Sequence, residues 1–156
     1  MHLLDLTLPT PEANLAYDEA LLDDCEERQG EEILRFWEFP EPFVVLGIAS
    51  RQEREVNVPA CAARRIPILR RCSGGGTVVQ GPGCLSYALI LRIASDDALQ
   101  RIDSTNTFIM QRHAHLLADA TGLPIRHQAA TDLAVGECKF SGNAQRRRRR
   151  FLLFHG

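Results

Sequence analysis

The sequence predicts an α+β domain built on a mixed, largely antiparallel sheet with flanking helices. Its segments run in the order helix, several strands, helix, more strands, which is typical of α+β proteins and not of alternating βαβ units. The 156 residues are 45% hydrophobic and 24% charged, which is the composition of an ordinary globular domain with a core of its own.

The first helix is predicted over residues 11–27. Thr10 precedes a proline, and proline is tolerated at the first helical position because the N–H it lacks would be unpaired there anyway. Ala13, Ala16 and Ala20 recur at near-helical spacing, so we expect them to lie on one face, with Leu15 and Leu22 beside them.

Short strands are expected on both sides of a second helix, which is predicted over residues 104–120 and is ended by Gly122. Before that helix, alternation in the last strand places Leu85, Tyr87, Leu89 and Leu91 on one face, and after it Gly136-Glu137 makes a hairpin turn. The strands are 33–39, 43–46, 66–71, 77–80, 84–91, 132–135, 138–141 and 151–154, with a short helix over 59–65.

The charges and the cysteines limit which classes of protein this chain can belong to. The net charge is −2, but five of the 18 basic residues form the run Arg146–Arg150, so the remaining chain is acidic. Five cysteines without a CxxC pair or a metal-ligand spacing predict free thiols, a cytoplasmic location and no metal site. No apolar run approaches the roughly 20 residues of a membrane span, so no membrane association is expected.

A glycine-rich segment between two predicted strands is the first candidate site. It is Arg70-Arg71-Cys72-Ser73 followed by Gly74, Gly75 and Gly76. Three glycines cost roughly 0.5–1 kcal/mol each in backbone entropy, and bare N–H groups suit phosphate oxygens. A flexible turn is the alternative, but the adjacent arginines and serine favour a ligand site.

Lys139 is the second candidate, because it lies in a predicted strand with Gly142 leaving space beside it. A lysine in this position can neutralise a phosphate and polarise a carbonyl oxygen. Alone it would be interpreted as a surface charge, whereas paired with the glycine loop it is the best catalytic candidate.

These segments together resemble the lipoate–protein ligase family of the biotin/lipoate ligase superfamily. The ordered pattern is Arg-Arg-x-Ser-Gly-Gly-Gly, then Lys-x-Ser-Gly-Asn-Ala beginning at Lys139, then His155-Gly156. The resemblance implies the catalytic-domain fold of that superfamily, which is class II synthetase-like. It also implies that residues 1–156 are a single catalytic domain without its C-terminal portion.

The resemblance further implies a two-step reaction in which lipoate or octanoate attacks ATP, usually with Mg²⁺, to form an acyl-adenylate. A lysine on a lipoyl carrier domain of a 2-oxoacid dehydrogenase or on glycine cleavage H protein then takes the acyl group. By the same likeness, Arg71 and Gly74–Gly76 hold the acyl and phosphate end, and Lys139 bridges carbonyl and phosphate. The remaining residues implied to bind substrate or nucleotide are Ser73, Thr77, Val78, Val79, Ser141, Gly142 and Asn143.

Two alternatives stay open. An octanoyltransferase of the same fold would carry the acyl group from acyl carrier protein on a cysteine with a depressed pKa. In one branch that cysteine precedes the strand lysine, and residues 123–137 contain none, which counts against it. In another branch the nucleophile lies beyond the His-Gly pair, and that version stays open. A non-catalytic binding protein would use Arg146–Arg150 to contact phosphates or an acidic partner. For that run we rank a solvated loop first, docking of an acidic carrier domain second and nucleic acid third.

Overall fold

The computed structural model describes residues 1–94 and 98–156, which form two compact units. One unit contains Met1–Arg92 and Ala144–His155, and the other contains Ile93–Asn143 with Gly156. In chain order the elements are β1 (His2–Asp5), α1 (Pro11–Arg28), β2 (Ile33–Trp37), β3 (Phe43–Leu46), α2 (Gln52–Glu55), α3 (Val58–Ala63), β4 (Ile68–Arg70), β5 (Val78–Gln80), β6 (Ser86–Arg92), a 3₁₀ turn (Ala98–Gln100), α4 (Ile102–Thr121), β7 (Ile125–Gln128), β8 (Asp132–Val135), β9 (Cys138–Gly142), β10 (Ala144–Arg147) and β11 (Phe151–His155).

The first unit contains two sheets. A five-stranded sheet has the order β1-β2-β6-β11-β10, in which only the β1–β2 pair is parallel. A three-stranded sheet has the order β4-β3-β5, with β4 parallel and β5 antiparallel to β3. Mixed sheets dominated by antiparallel pairs, with helices beside them, confirm the predicted α+β class.

Helix α1 begins where the sequence predicts, because the Thr10 hydroxyl accepts a hydrogen bond from the Ala13 N–H at 3.1 Å. In the group predicted to share a face, Leu22 is buried and Ala13 and Leu15 are half-buried, whereas Ala16 and Ala20 are exposed. The residues that the helix buries are Pro11, Asn14, Asp18, Leu22 and Cys25.

Arg35 on β2 explains why two polar residues lie on that buried face. Its guanidinium is fully buried and donates to Asp18 Oδ1 and Asn14 Oδ1, each at 2.5 Å, and to the Leu6 carbonyl at 2.8 Å. Trp37 Nε1 donates to the other carboxylate oxygen of Asp18 at 3.3 Å. A buried charge must be paired, so α1 turns its polar residues toward the sheet.

The core of the first unit lies between α1 and the five-stranded sheet. Strand β6 contributes Ala88 and Ile90 to this core. In the set predicted to share the other face, Leu91 is buried and Tyr87 and Leu89 are half-buried, whereas Leu85, which precedes the strand, is 64% exposed. The buried residues of this cluster are Leu22, Cys25, Ala88, Ile90, Phe151 and Leu153.

The second unit contains α4 and the antiparallel sheet β7-β8-β9. Gly122 ends the helix with φ +71°, and Gly136 in the β8–β9 turn has φ +57°, so both glycines adopt the left-handed backbone expected of them. The predicted hairpin is confirmed, while β7 was not predicted. Among the described residues, no helix combines the length and the apolar character needed to cross a bilayer.

Candidate functional site

The glycine loop, residues 71–77, connects β4 to β5 at one end of the three-stranded sheet. Because β4 runs parallel to β3 and β5 runs back along it, the loop lies beyond the last residues of β3. The loop also pairs with the segment after β3, where the Ile48 N–H donates to the Ser73 carbonyl at 2.8 Å. The sheet therefore holds both ends of the loop.

Arg71 fixes the shape of the loop from within. Its Nη2 donates to the carbonyls of Gly74 at 2.5 Å and Gly76 at 2.9 Å, and its Nε donates to Ser73 Oγ at 3.1 Å. Burial lowers the pKa of this guanidinium, which still remains ionised because arginine starts so high. Because this side chain binds the carbonyls of Gly74 and Gly76, those carbonyls do not compete for the N–H groups of the three glycines.

Arg70 has a different task from its neighbour. Its Nη1 donates to the carbonyls of Gly47 at 2.7 Å and Ser50 at 2.8 Å, so it holds the segment after β3 against which the glycine loop rests. The two arginines thus bind two adjoining loops, which is consistent with their leaving the chain in different directions.

Gly47 is where the two loops approach most closely. A Cβ at this position would lie 2.1 Å from the Gly75 carbonyl oxygen, a distance that no side chain can adopt. Gly75 itself has φ +86°, which favours glycine for reasons of backbone geometry.

We expect Gly47→Ala to displace the glycine loop and to destabilise the fold by about 1–3 kcal/mol, the usual range for overpacking. Chemical denaturation of the two proteins measures the difference, with Gly30→Ala as the control because its Cβ meets only ordinary contacts at 3.6 and 3.8 Å from Cys25. Equal stabilities of Gly47→Ala and the wild type would show that the loops do not depend on this approach.

Gly74 and Gly76 are not required by the fold in the same way. A Cβ at either position meets no atom within 4 Å, and neither residue has a positive φ. Within residues 1–94 and 98–156, no hydrogen bond to the N–H groups of Gly74–Gly76 is present. Bare backbone that the protein itself does not need points to a ligand that approaches the loop closely.

Ser73, the third residue of the loop, belongs to a buried polar network that sequence reasoning missed. Its Oγ lies 2.5 Å from Nε2 of His155, and both side chains are more than nine-tenths buried. Nδ1 of His155 faces Asp18 Oδ2 at 3.9 Å, which connects the loop to the buried pair of Asp18 and Arg35. The only sequence signals were a polar i, i+4 pair on α1, Asn14 and Asp18, and a charged residue inside an apolar strand.

Thr77 closes the loop by a hydrogen bond from its hydroxyl to the carboxylate of Glu55 at the end of α2. This bond holds the pKa of Glu55 below its ordinary value, with help from Ser50. Beyond Thr77, Val78 and Val79 are 38% and 69% exposed. In the described part of the chain, β5 pairs only with β3, so its outer edge can offer backbone N–H and carbonyl groups to a ligand.

In the second unit, Lys139 lies on β9 opposite Ala134 of β8. Its side chain is 53% exposed, and its Nζ lies 2.9 Å from Asp132 Oδ1. A Cβ at Gly142 would lie 3.1 Å from Cε and Nζ of the lysine, so the glycine provides the space that was predicted beside it.

The basic residues of the chain add a signal for Lys139 that is visible in the sequence once all of them are counted. Of its 18 basic residues, 17 are arginines and Lys139 is the single lysine. Lysine and arginine differ chemically, since only lysine is a compact ammonium that can lose its proton. A position that keeps lysine in such a chain is a strong candidate for a chemical role.

Asn143, which follows β9, has an internal structural role. Its Nδ2 donates to the Thr131 carbonyl at 2.7 Å and to Ser141 Oγ at 3.1 Å, and its own carbonyl accepts from Thr131 Oγ1 at 2.6 Å. It therefore ties the end of β9 to the start of β8. Ser141 is half-buried in the same cluster.

Two residues of the arginine run, Arg148 and Arg150, are paired with acidic residues of the first unit, and Arg146 and Arg147 lie on β10, so the run is only in part the solvated loop that was expected. Arg148 Nη2 lies 2.7 Å from Asp23 Oδ1, and Arg150 Nη2 donates to the Glu26 carbonyl at 2.5 Å. The N–H groups of Arg150 and Phe151 also donate to the Glu26 carboxylate. These contacts neutralise two of the five charges, which counts against a phosphate-binding arm.

The structure thus brings the predicted site residues together as two groups. Arg71, Ser73, Gly74–Gly76 and Thr77 form one loop of the first unit, and Lys139, Ser141, Gly142 and Asn143 form one end of the β8–β9 hairpin in the second. That the two groups act on one substrate stays a prediction. No cluster of three metal-binding side chains is present in the portion of the chain that the structure describes.

Comparison with known proteins finds relatives named as lipoate-protein ligases and octanoyltransferases. The family model described as the lipoyl protein ligase A/B catalytic domain matches residues 10–156. A protein of Aeropyrum pernix named as a lipoate-protein ligase A is 34% identical over 155 residues, which are 98% of this chain and 55% of that protein. The octanoyltransferase LipM of Moorella thermoacetica is 31% identical over 90 residues, which are 58% of this chain and 33% of that protein. The chain spans about half, or less, of the length of these relatives.

Solved structures of about 27% identity share the fold. A lipoate protein ligase of Thermoplasma acidophilum with bound lipoic acid has a TM-score of 0.84 and covers 99% of this chain and 66% of its own. A bipartite ligase of that organism, described with its E2 lipoyl domain, is 28% identical with a TM-score of 0.82, covering 99% and 59%. A lipoate-protein ligase A bound with ATP is 27% identical with a TM-score of 0.83, covering 99% and 64%. These likenesses confirm the ligase-type fold predicted from the sequence.

Proposed function

The chain belongs to the lipoyl protein ligase A/B catalytic-domain family, and we propose that it activates lipoate or octanoate with ATP. The carboxylate attacks the α-phosphate, which gives an acyl-adenylate and pyrophosphate. The acyl group then passes to a lysine ε-amine on a lipoyl carrier domain. Because a carboxylate is a poor electrophile, adenylation supplies the leaving group, and the protein mainly positions the reactants and stabilises charge.

The observation that carries this proposal is the unhindered backbone of the glycine loop at Gly74–Gly76. Gly74 and Gly76 have open space where a side chain would be, and Arg71 binds the carbonyls of Gly74 and Gly76. Among the described residues, the N–H groups of Gly74–Gly76 have no acceptor. Such a preorganised set of donors suits the phosphate and acyl-carboxylate oxygens of an adenylate. The outer edge of β5, at Val78 and Val79, would offer backbone groups to the adenine.

Lys139 is proposed as the charge-stabilising residue for the same substrate. Its ammonium would contact the carbonyl oxygen and the phosphate as negative charge develops on them. Ser141 and Gly142 would border this position, while Asn143 keeps the strand end in place through its bonds to residue 131. We propose that both units serve as one catalytic domain in this way.

ATP is a substrate in this scheme, and the ATP-bound relative of the same fold supports its inclusion. Mg²⁺ accompanies it by family resemblance. Since the described residues contain no group of three metal-binding side chains, the ion would take most of its ligands from phosphate oxygens and water, as Mg²⁺ commonly does.

Lipoyl carrier domains are the proposed acceptors, a choice supported by the bipartite ligase that is described with its E2 lipoyl domain. Glycine cleavage H protein is an acceptor of the same chemistry. A non-catalytic role for Arg146–Arg150 has less support, because acidic residues of α1 pair with Arg148 and Arg150.

The octanoyltransferase alternative needs a cysteine that ionises readily, and Cys72 beside the loop is not such a residue. Burial raises its pKa to about 11, so the thiol stays protonated at all pH values well below that. It packs against the hydrophobic core of the first unit.

We therefore expect iodoacetamide at pH 8 to alkylate Cys84 and Cys138, which are exposed, well before Cys72. Peptide mapping over time measures the order, and Cys72→Ser should retain acyl transfer. Fast alkylation of Cys72, or loss of transfer in Cys72→Ser, would favour the thioester route.

The proposed function itself is tested by incubating the chain with ATP, octanoate or lipoate, and a lipoyl domain, and measuring the mass of the domain. We expect acylation that requires ATP. Acylation only from octanoyl-acyl carrier protein would replace the ligase by the transferase, and salt-sensitive DNA binding without acylation would favour the binding protein.

A further inference from the structure

The acyl-adenylate proposed above can acylate Lys139, the residue proposed to stabilise it. An acyl-adenylate is a mixed anhydride, and a neutral amine attacks its carbonyl carbon. The nitrogen lone pair forms the new C–N bond, the C–O bond to the phosphate breaks, AMP leaves with that electron pair, and the amine's surplus proton passes to water. Reactants held side by side can reach effective concentrations on the order of 10⁵–10⁸ M, so an unprotected lysine in the site would acylate itself.

The chain contains few amines that could react in this way. Seventeen of its 18 basic side chains are arginines, whose guanidinium groups stay protonated and are poor nucleophiles. The single side-chain amine is that of Lys139, and the only other amine is the N-terminus at Met1, which lies 3.9 Å from Glu31. Lys139 is therefore the only side chain of this sequence whose amine the adenylate could acylate.

Asp132 binds that residue through an ion pair. Its Oδ1 lies 2.9 Å from Lys139 Nζ, and its side chain is only 26% exposed, half as much as that of the lysine. In the β8–β9 pairing Asp132 lies opposite Gly142, and the missing Cβ of Gly142 lets the lysine side chain pass across to the carboxylate. Asp132, Lys139 and Gly142, all on the β8–β9 hairpin, therefore bring the lysine amine into contact with a carboxylate.

We propose that Asp132 is a positioning residue that holds the Lys139 amine in an ion pair and so protects it from acylation by the adenylate formed in this chain. The inference rests on the proposed function. The pair keeps a positive charge available to the carbonyl and phosphate oxygens, and the nitrogen must leave the carboxylate before it can attack the acyl carbon. The same contact therefore preserves the charge and slows the attack.

The first test compares Asp132→Asn with Glu137→Gln, a matched control on the same hairpin. Glu137 is an exposed carboxylate that pairs with Arg126 at 2.9 Å, so its replacement removes the same charge without touching Lys139. Each protein is incubated with ATP and octanoate without a carrier domain, and octanoylation of Lys139 is followed by peptide mass spectrometry.

We expect Asp132→Asn to acylate Lys139 about fivefold faster or more than the wild type, since exposed ion pairs contribute up to about 1 kcal/mol. Glu137→Gln should match the wild type, and Asp132→Glu should restore protection. Equal acylation of Lys139 in the wild type and Asp132→Asn would overturn the proposal, because a merely structural aspartate would not govern this modification.

The second test uses octanoyl N-hydroxysuccinimide ester without ATP and compares acylation of Lys139 with that of the Met1 amine in the same molecule. This ratio does not depend on adenylate chemistry. A rise of the ratio in Asp132→Asn supports protection by Asp132 even where no adenylate forms, an outcome that would count against the proposed function alone. An unchanged ratio overturns the inference even where ATP-dependent acylation of the carrier succeeds.

Discussion

Replacing Lys139 by alanine is expected to lower the rate of acyl-adenylate formation by on the order of 10²–10³, the loss typical of removing one charge-stabilising donor. The reason is chemical, because the chain has no second lysine and the ammonium would act only as negative charge develops on the carbonyl and phosphate oxygens. Pyrophosphate release from ATP in the presence of octanoate or lipoate measures the step directly.

Arg126→Ala is the control for this variant, since Arg126 is a paired cation on the neighbouring part of the same sheet. It should leave the rate near that of the wild type. Lys139→Arg should recover only part of the activity, because a planar guanidinium keeps the charge but is larger than the space beside Gly142, where a Cβ would already lie 3.1 Å from Nζ. Near-normal pyrophosphate release by Lys139→Ala would remove Lys139 from the mechanism.

Gly74→Val and Gly76→Val are expected to weaken ATP binding about 10- to 100-fold while leaving the stability within about 0.5 kcal/mol of the wild type. No protein atom lies within 4 Å of the Cβ at either position, so the valine has room in the free protein and obstructs only a ligand that approaches the N–H groups. Calorimetric titration with ATP and chemical denaturation measure the two quantities on the same samples.

The controls for the loop come from two other glycines. Gly30→Ala should bind ATP normally, since its new Cβ meets only ordinary contacts with Cys25. Gly75 is unsuited to the test, because its φ of +86° and the Arg71 guanidinium 2.9 Å from a Cβ would strain any substitution. Unchanged ATP affinity in both valine variants would show that the loop does not bind the nucleotide.

The elements that sequence reasoning found correctly are those with local signals. Thr10 with the proline after it marks the start of α1, Gly122 ends α4, and Gly136 turns the β8–β9 hairpin. Each of these depends on the backbone preference of one or two residues, which acts wherever the chain later lies. The same locality made the glycine loop and the Lys139 segment recognisable as motifs.

What the sequence patterns left open is which face of an element is buried. On α1, Asn14 and Asp18 are buried because Arg35 donates to both, which no local pattern indicates. On β6, the alternation grouped Tyr87, Leu89 and Leu91, and only the structure shows that Ala88 and Ile90 on the other face pack in the core cluster with α1.

The sequence by itself determined the α+β class, the ends of the main helices, the order of the motifs and, through its single lysine, the residue with the strongest claim to chemistry. Only the tertiary structure decided that Arg71 binds the loop's carbonyls, that His155 meets Ser73, and that Asp132 holds Lys139. The division has one physical cause. Backbone preferences act over a few residues, whereas a contact such as that between residues 73 and 155, which are 82 positions apart, exists only once the sheet has brought distant strands together.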